Sequence, residues 1–239
     1  MPPPSTRQPR IYTRHGDDGT TGLLYGGRAP KGSPRIELNG AVDEAQAALG
    51  VARAESDPDA ELDRLLVSLE RDLYVLMAEV ATLPEHRDKL VAGTTLVTGD
   101  MVAALEARID DLLGRFDMPS DFVIPGHDRC SAALDLARTV VRRAERLVGT
   151  VPDLAGDSLV GPYLNRLSDL VWAMARWQEG EEHLVARGSR RRGRPAGAGP
   201  TGGADGSAAE SGADGAAAES GPDGAAAESD STGTGGDAG

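Results

Sequence analysis

The stretch Leu62-Asp-Arg-Leu-Leu-Val-Ser-Leu-Glu-Arg-Asp-Leu-Tyr-Val-Leu-Met-Ala-Glu-Val80 decides the fold class. Leu62, Leu65, Leu66, Leu69, Leu73, Leu76, Met77 and Val80 recur at spacings of three and four, which gathers them on one stripe of an α-helix and scatters them over both faces of a strand. Working outward, Val42, Ala45, Leu49 and Ala52 continue a similar pattern begun by Ile36. Met101, Leu105, Ile109 and Leu112 mark a third helix, with Thr98 or Asp100 as its cap. Ala133, Leu136, Val140, Ala144 and Leu147 mark a fourth, and Leu164, Leu167, Val171 and Met174 a fifth. Strand signals are scarce. Five long helices with short connections predict an all-α, antiparallel five-helix bundle, with loops at Pro84–Gly99, Pro119–Gly126 and Val151–Pro162.

Apolar residues make up 39% of the 239-residue chain and are concentrated between Ile36 and Trp177. This divides the chain into an N-terminal loop segment (1–35), a helical domain (36–187) and a tail (188–239). The tail repeats every nine residues, beginning at Gly203, Gly212 and Gly221, and is built of Gly, Ala, Ser, Asp and Glu. With so little apolar bulk it is expected to be disordered. The net charge is −13, of which the tail, with four Arg against eight acids, carries −4. So acidic a chain is a poor partner for nucleic acid or an anionic membrane, and any positive site must be local. A single cysteine, Cys130, excludes an internal disulfide and a cysteine cluster for zinc. Met1-Pro-Pro-Pro lacks the pattern of a signal peptide, and no apolar run reaches the length of a membrane span, so a soluble cytoplasmic protein is expected.

Four segments carry chemistry-bearing residues. In Thr13-Arg-His-Gly-Asp-Asp-Gly-Thr-Thr-Gly22, glycines bracket paired aspartates and hydroxyls follow. Such a loop is either a plain turn or a cradle whose backbone N–H groups meet phosphate oxygens while carboxylates and hydroxyls hold a metal ion's waters, with Lys31 adding a cation. It does not fit a Walker A loop. On the fourth helix, Arg138, Arg142 and Glu145 fall within about 60° of one another, which fits either a solvated, salt-bridged face or an anion site. Asn165, Asp169 and Trp172 share one side of the fifth helix, where an Asn is disfavoured by propensity. Phe122, in Asp121-Phe-Val-Ile-Pro-Gly126, reads by default as core packing.

Taken in order, these segments resemble the PduO-type ATP:cob(I)alamin adenosyltransferases. The landmarks are the Gly-Asp-Asp-Gly-Thr-Thr-Gly loop, Gly26-Gly-Arg28, Pro30-Lys-Gly-Ser-Pro-Arg35, Val42-Asp-Glu44, Phe122-Val-Ile-Pro-Gly126, Ala137-Arg-Thr-Val-Val-Arg-Arg-Ala-Glu-Arg146 and Pro162-Tyr-Leu-Asn-Arg-Leu-Ser-Asp169. The resemblance implies a five-helix bundle assembled as a homotrimer, with ATP bound between subunits together with Mg²⁺. It implies that Thr13, Arg14, Gly16, Asp17, Asp18, Gly19, Thr20, Thr21 and Lys31 wrap ATP, that Arg138 and Arg142 hold its phosphates, and that Asn165 also meets the nucleotide. Asp43 is implied to pair with Arg138. Phe122 is implied to lie under the corrin ring in place of the lower cobalt ligand. No direct protein ligand to a metal is assigned.

The implied reaction moves the 5′-deoxyadenosyl group of ATP onto cob(I)alamin and releases triphosphate. The second reading is a cobalamin-binding escort on the same fold that delivers adenosylcobalamin to a client enzyme. A cob(II)alamin reductase and an adenosylcobalamin-dependent enzyme are the implied partners. Two positions depart from the family pattern: His15 stands where Thr is usual, and His127 where the second Gly of a Gly-Gly turn is usual.

Overall fold

The computed structural model describes residues 12–181 and 184–186, and the repeat-bearing tail lies outside the described residues. The predicted helices are all present: α1 (Pro34–Ala54), α2 (Glu61–Val80), α3 (Gly99–Leu113), α4 (Arg129–Val148) and α5 (Val160–Glu179). Their ends follow from local chemistry. Pro34 opens α1, where its missing N–H costs nothing. Thr98, one of the two predicted caps, accepts the Met101 N–H at the start of α3. Asp128 and Ser131 form a reciprocal capping box at the start of α4. α5 starts at Val160, two residues before the predicted loop ends, because Pro162 sits within the first turn, where N–H groups have no helical partner anyway.

Side-chain links fix the directions. Arg35 bonds Asp153, Glu44 pairs with Arg143, and the Cys130 thiol reaches the Ala52 carbonyl at 3.5 Å, so α1 and α4 are antiparallel. Arg35 to the Val80 carbonyl and Arg53 to Asp63 set α2 antiparallel to α1. Asp135 with Arg176 and Glu145 with Asn165 do the same for α4 and α5. Arg166–Glu106 and Phe116–Trp172 show α3 running parallel to α5. The chain thus alternates up and down, with α4 packed between α1 and α5. The core includes Leu38, Leu49, Leu66, Leu73, Leu105, Leu134, Leu164 and Leu170, each with no exposed surface. Each such leucine contributes about 2 kcal/mol by burial.

Three expectations need correction. The α4 stripe is shifted: Leu134, Ala137, Val141, Ala144 and Val148 are buried, whereas Leu136 is 59% exposed and Val140 and Leu147 are half-buried. Flanked by two helices, α4 buries a side that mixes alanines with Leu134, Val141 and Val148, and Ala133 and Ala144 of the expected stripe belong to it. The segment before α1 is not all loop: β1 (Thr20–Gly22) and β2 (Arg28–Pro30) form a short antiparallel ribbon. The loop after α2 contains a 3₁₀ helix, Pro84–Lys89.

Two buried ionic groups tie this end together. Glu79, with no exposed surface, accepts from Arg87, Ser158 and the Val97 N–H at 2.7, 2.7 and 2.8 Å. Arg35 donates to the Val80 and Thr82 carbonyls at 2.7 and 2.9 Å, so a side chain from α1 caps the end of α2. The Leu24 N–H bonds the Ala81 carbonyl at 2.9 Å and hangs the ribbon on that fixed end.

Candidate functional site

The Thr13–Lys31 segment is ordered by its own polar groups. Asp18 Oδ1 accepts from the Thr20 N–H at 2.9 Å and the Thr20 hydroxyl at 2.8 Å. Arg28 fastens the turn from β2, with Nε donating to Thr20 Oγ1 at 2.8 Å and Nη2 to the His15 carbonyl at 2.5 Å. The hydrogen bonds from the Thr20 N–H and hydroxyl hold the Asp18 carboxyl below its ordinary value, outweighing the opposing desolvation, with the Arg28 charge adding a lesser push in the same direction. Gly19 takes φ +81° and its carbonyl accepts the Lys31 N–H at 2.9 Å. A Cβ on Gly16 would come within 3.2 Å of Lys31 Nζ, so glycine there lets the ammonium approach the turn. Arg14 is held at φ 62°, a strained conformation for a non-glycine residue. Asp17 and Lys31 are exposed, and neither has an ion-pair partner among the described residues. The result is a turn with a cation at its edge.

The second set lies along the seam of α4 and α5. Asp135, Arg138, Arg142 and Glu145 form one stripe of α4; Asn165, Asp169, Trp172 and Arg176 form one stripe of α5. Antiparallel packing brings them face to face. At one end Asn165 Nδ2 donates to Glu145 Oε1 at 2.8 Å, and Arg166 donates to Asn165 Oδ1. At the other Arg176 Nη2 meets Asp135 Oδ2 at 2.6 Å, and Arg138 Nε approaches Asp135 Oδ1 at 3.4 Å. Between them, partial burial raises the Asp169 carboxyl above its ordinary value, Arg166 and Arg142 oppose this, and Glu145 reinforces it. Arg142 is exposed and forms no ion pair among the described residues. An exposed guanidinium one helical turn from Arg138 suits a polyanion.

Among the described residues no hydrogen bond or ion pair joins Thr13–Lys31 to Arg138, Arg142 or Asn165. Asp43 is exposed and makes no ion pair within the described chain, and Arg138 has Asp135 beside it instead.

Phe122 contradicts its default core reading: it is 63% exposed. Its loop is held from below by residues 184–186, through Ile124 N–H to Leu184 O and Ala186 N–H to Phe122 O, both 2.7 Å. Met118, Ile124 and Leu184 are also exposed, leaving an apolar surface around the ring. His127 and His15 are exposed as well.

The model of the family described as cobalamin adenosyltransferase matches residues 11–178. A corrinoid adenosyltransferase of Citrobacter freundii is 40% identical over 71% of this chain and 95% of its own length. The chain belongs to the cobalamin adenosyltransferase family. Corrinoid adenosyltransferase PduO of C. freundii is 37% identical over 72% of this chain, which spans only 51% of that relative's length. In the Salmonella typhimurium PduO the figures are 35%, 72% and 51%. The chain thus spans about half of these two relatives. A variant PduO-type ATP:corrinoid adenosyltransferase of Lactobacillus reuteri, complexed with cobalamin and ATP, superposes with a TM-score of 0.64 at 26% identity, over 74% of this chain and 97% of that one.

Within this cobalamin adenosyltransferase fold, sequence reasoning gave no role to Arg28, Asp135 or Arg176. Arg28 was visible only as the end of Gly26-Gly-Arg28. Arg176 extends the Asn165, Asp169, Trp172 series by one more turn, and Asp135 precedes Arg138 by one turn. Those spacings put Asp135 and Arg176 on the stripes of Arg138 and Asn165, but only the packing of α4 on α5 distinguishes a buried seam from a solvated face.

Proposed function

We propose that this chain transfers the 5′-deoxyadenosyl group of ATP to cob(I)alamin, forming a cobalt–carbon bond and releasing triphosphate. The observation that carries the proposal is the pairing of an ordered Gly-Asp-Asp turn bearing Lys31 with the arginine stripe of α4, in a family whose solved relatives hold ATP and cobalamin. Cob(I)alamin is a strong nucleophile. Its lone pair attacks C5′ as the C5′–O bond breaks, and that electron pair leaves on triphosphate. No general base is needed, so the protein's contribution is alignment and charge. Arg138, Arg142 and Lys31 offset the charge that grows on the leaving group. Thr13, Arg14, Gly16, Asp17, Asp18, Gly19, Thr20 and Thr21 wrap the nucleotide, and Asn165 orients it. Phe122 offers an apolar ring to the lower corrin face and excludes water and a lower cobalt ligand there.

The donor set suits Mg²⁺ carried by ATP. Among the described residues no group of three metal-ligating side chains exists, and exposed Asp17 would meet the ion through its waters. Such an ion supplies further positive charge to the triphosphate. Exposed Asp43, without an ion-pair partner in the described chain, and the lack of any polar contact there between the turn and the α4–α5 seam support a site completed between copies in a homotrimer, where Asp43 of one copy meets Arg138 of the next. Domain roles follow: 1–35 for ATP, the bundle to 187 for assembly and corrin binding, and 188–239 as an appended tail. A cytoplasmic location and hand-over among a reductase, this protein and an adenosylcobalamin-dependent enzyme complete the reading.

The test is anaerobic incubation with ATP, Mg²⁺ and chemically reduced cob(I)alamin, following loss of the cob(I)alamin band and gain of a light-sensitive product. Wild type is expected to form product and Arg142→Ala to lose it. Binding of adenosylcobalamin without turnover would replace this reading by the escort function.

A further inference from the structure

Resting on that reading, the buried end of the α4–α5 seam assigns two residues that the reaction itself does not name. Asp135 is 3% exposed, Arg176 1% and Glu179 5%. Arg176 sits between the two carboxylates, 2.6 Å from Asp135 and 2.9 Å from Glu179, with its guanidinium 5.7 Å from the centre of the Trp172 ring. A buried set of this kind is a weak source of stability, since apolar residues of similar volume commonly serve the fold as well. Its geometry suggests another use. Asp135 divides its two oxygens: Oδ2 is taken by Arg176, and Oδ1 faces Arg138 Nε at 3.4 Å. A guanidinium held through Nε keeps both Nη groups free, and those are the groups that grip an oxyanion in parallel. The Arg138 side chain is 28% exposed and its Nη atoms have no hydrogen bond among the described residues. Arg142 has no such anchor.

We infer that Asp135, held by Arg176 and Glu179, is a positioning residue that turns the Nη edge of Arg138 outward, where it meets the polyphosphate beside Asp43 of the neighbouring copy. Arg176 neutralises the inner half of the Asp135 carboxylate. Without it, a nearly buried anion would draw Arg138 inward and spend its donors. The arrangement makes one arginine of the pair rigid and leaves the other adaptable.

A double-mutant cycle on the full chain tests this, with inorganic triphosphate as the probe and calorimetric Kd as the readout. Asp135→Asn keeps the shape and leaves Arg176 and Glu179 as a neutral pair. In wild type it is expected to weaken triphosphate binding roughly tenfold, the scale of one charge-assisted hydrogen bond. In an Arg138→Ala background the same change is expected to do nothing, because the residue it positions is gone. Equal weakening in both backgrounds, or none in either, overturns the proposal. If Asp135→Asn does not fold, Asp135→Glu retains the charge and displaces it by one methylene. The same loss, confined to the background that keeps Arg138, is expected. Turnover separates the two proposals. A wild type that binds triphosphate and shows this coupling yet makes no adenosylcobalamin defeats the transferase reading alone. A wild type that does not bind triphosphate overturns both.

Discussion

The Gly-Asp-Asp turn and the α4–α5 seam carry the same kind of chemistry on opposite physical terms. The turn is exposed, and its order comes from short-range hydrogen bonds among Asp18, Thr20, Arg28 and the His15 carbonyl. The seam is set into two long helices, and its inner members, Asp135, Arg176 and Glu179, are almost wholly removed from water. Exposed polar contacts are each worth little, because water competes for them and long side chains lose freedom. Buried ones are fixed, and costly to break. The turn is thus the easier of the two to rearrange, and the seam is held in place by the fold. On the proposed function, a nucleotide that enters and a triphosphate that leaves would call for the first, and a transition state whose charge must be met at once would call for the second.

The comparison breaks most sharply at Arg142. Its Ala variant is expected to lose about 100-fold or more in kcat/KM, the scale of removing a preorganised charge from a transition state. Its thermal midpoint is expected to stay within a degree or two of wild type, since no ion pair within the described chain is lost. A large drop in midpoint would show that Arg142 holds the fold. Arg176→Met is the converse. It leaves Asp135 and Glu179 buried without their shared cation and is expected to cost about 3 kcal/mol in unfolding free energy. Denaturant unfolding checks it. A cost near zero would mean the seam is wetter than its burial indicates. Arg28→Ala should do least to stability and a moderate amount to the ligand. With the turn unfastened, KM for ATP is expected to rise roughly fivefold while kcat falls by less, the pattern of lost ordering and not lost chemistry.

How much of this was readable beforehand divides along the same line. The five helices were, because Leu66, Leu69, Leu73 and Leu76 repeat an amphipathic period that few other structures explain. The inner side of α4 was not. Ala133 and Ala144 of the expected stripe are buried, but that stripe also took Leu136, which faces solvent, and left out Leu134, Ala137 and Val141, which are buried. The ribbon of Thr20–Gly22 with Arg28–Pro30 is too short for alternation to register. Glu79, Arg35, Asp135 and Arg176 were missed for one reason: a charge within a helical pattern reads as solvated, and only the tertiary fold supplies the partners that let it be buried. Composition alone put Phe122 in the core by default, and its exposure overturns that default but not the corrin-facing place implied by the resemblance. The residues named by resemblance fall mostly on the Thr13–Lys31 segment and the α4–α5 seam, with Asp43 on α1 and Phe122 in the loop before α4, a distribution that the linear order of motifs does not reveal.

The smallest effect is the most direct probe of the weaker half. Asp18 ionises below its ordinary value of 3.8, chiefly because the Thr20 N–H and hydroxyl favour its charged form. A carboxyl depressed in the folded state contributes order that is present above the unfolded value and lost as pH falls through the lower, folded one. The turn is therefore expected to keep its geometry down to about pH 4 and loosen only below it, in the window beneath the ordinary aspartate value. The Thr20 amide resonance reports this, since that N–H donates to Asp18 at 2.9 Å. Its shift should hold steady on acidification, move with a midpoint below 3.8, and lose this transition in Asp18→Asn. A midpoint at or above 3.8 would mean that Asp18 does not order the turn, and would leave Arg28 and the Gly19–Lys31 bond to hold it.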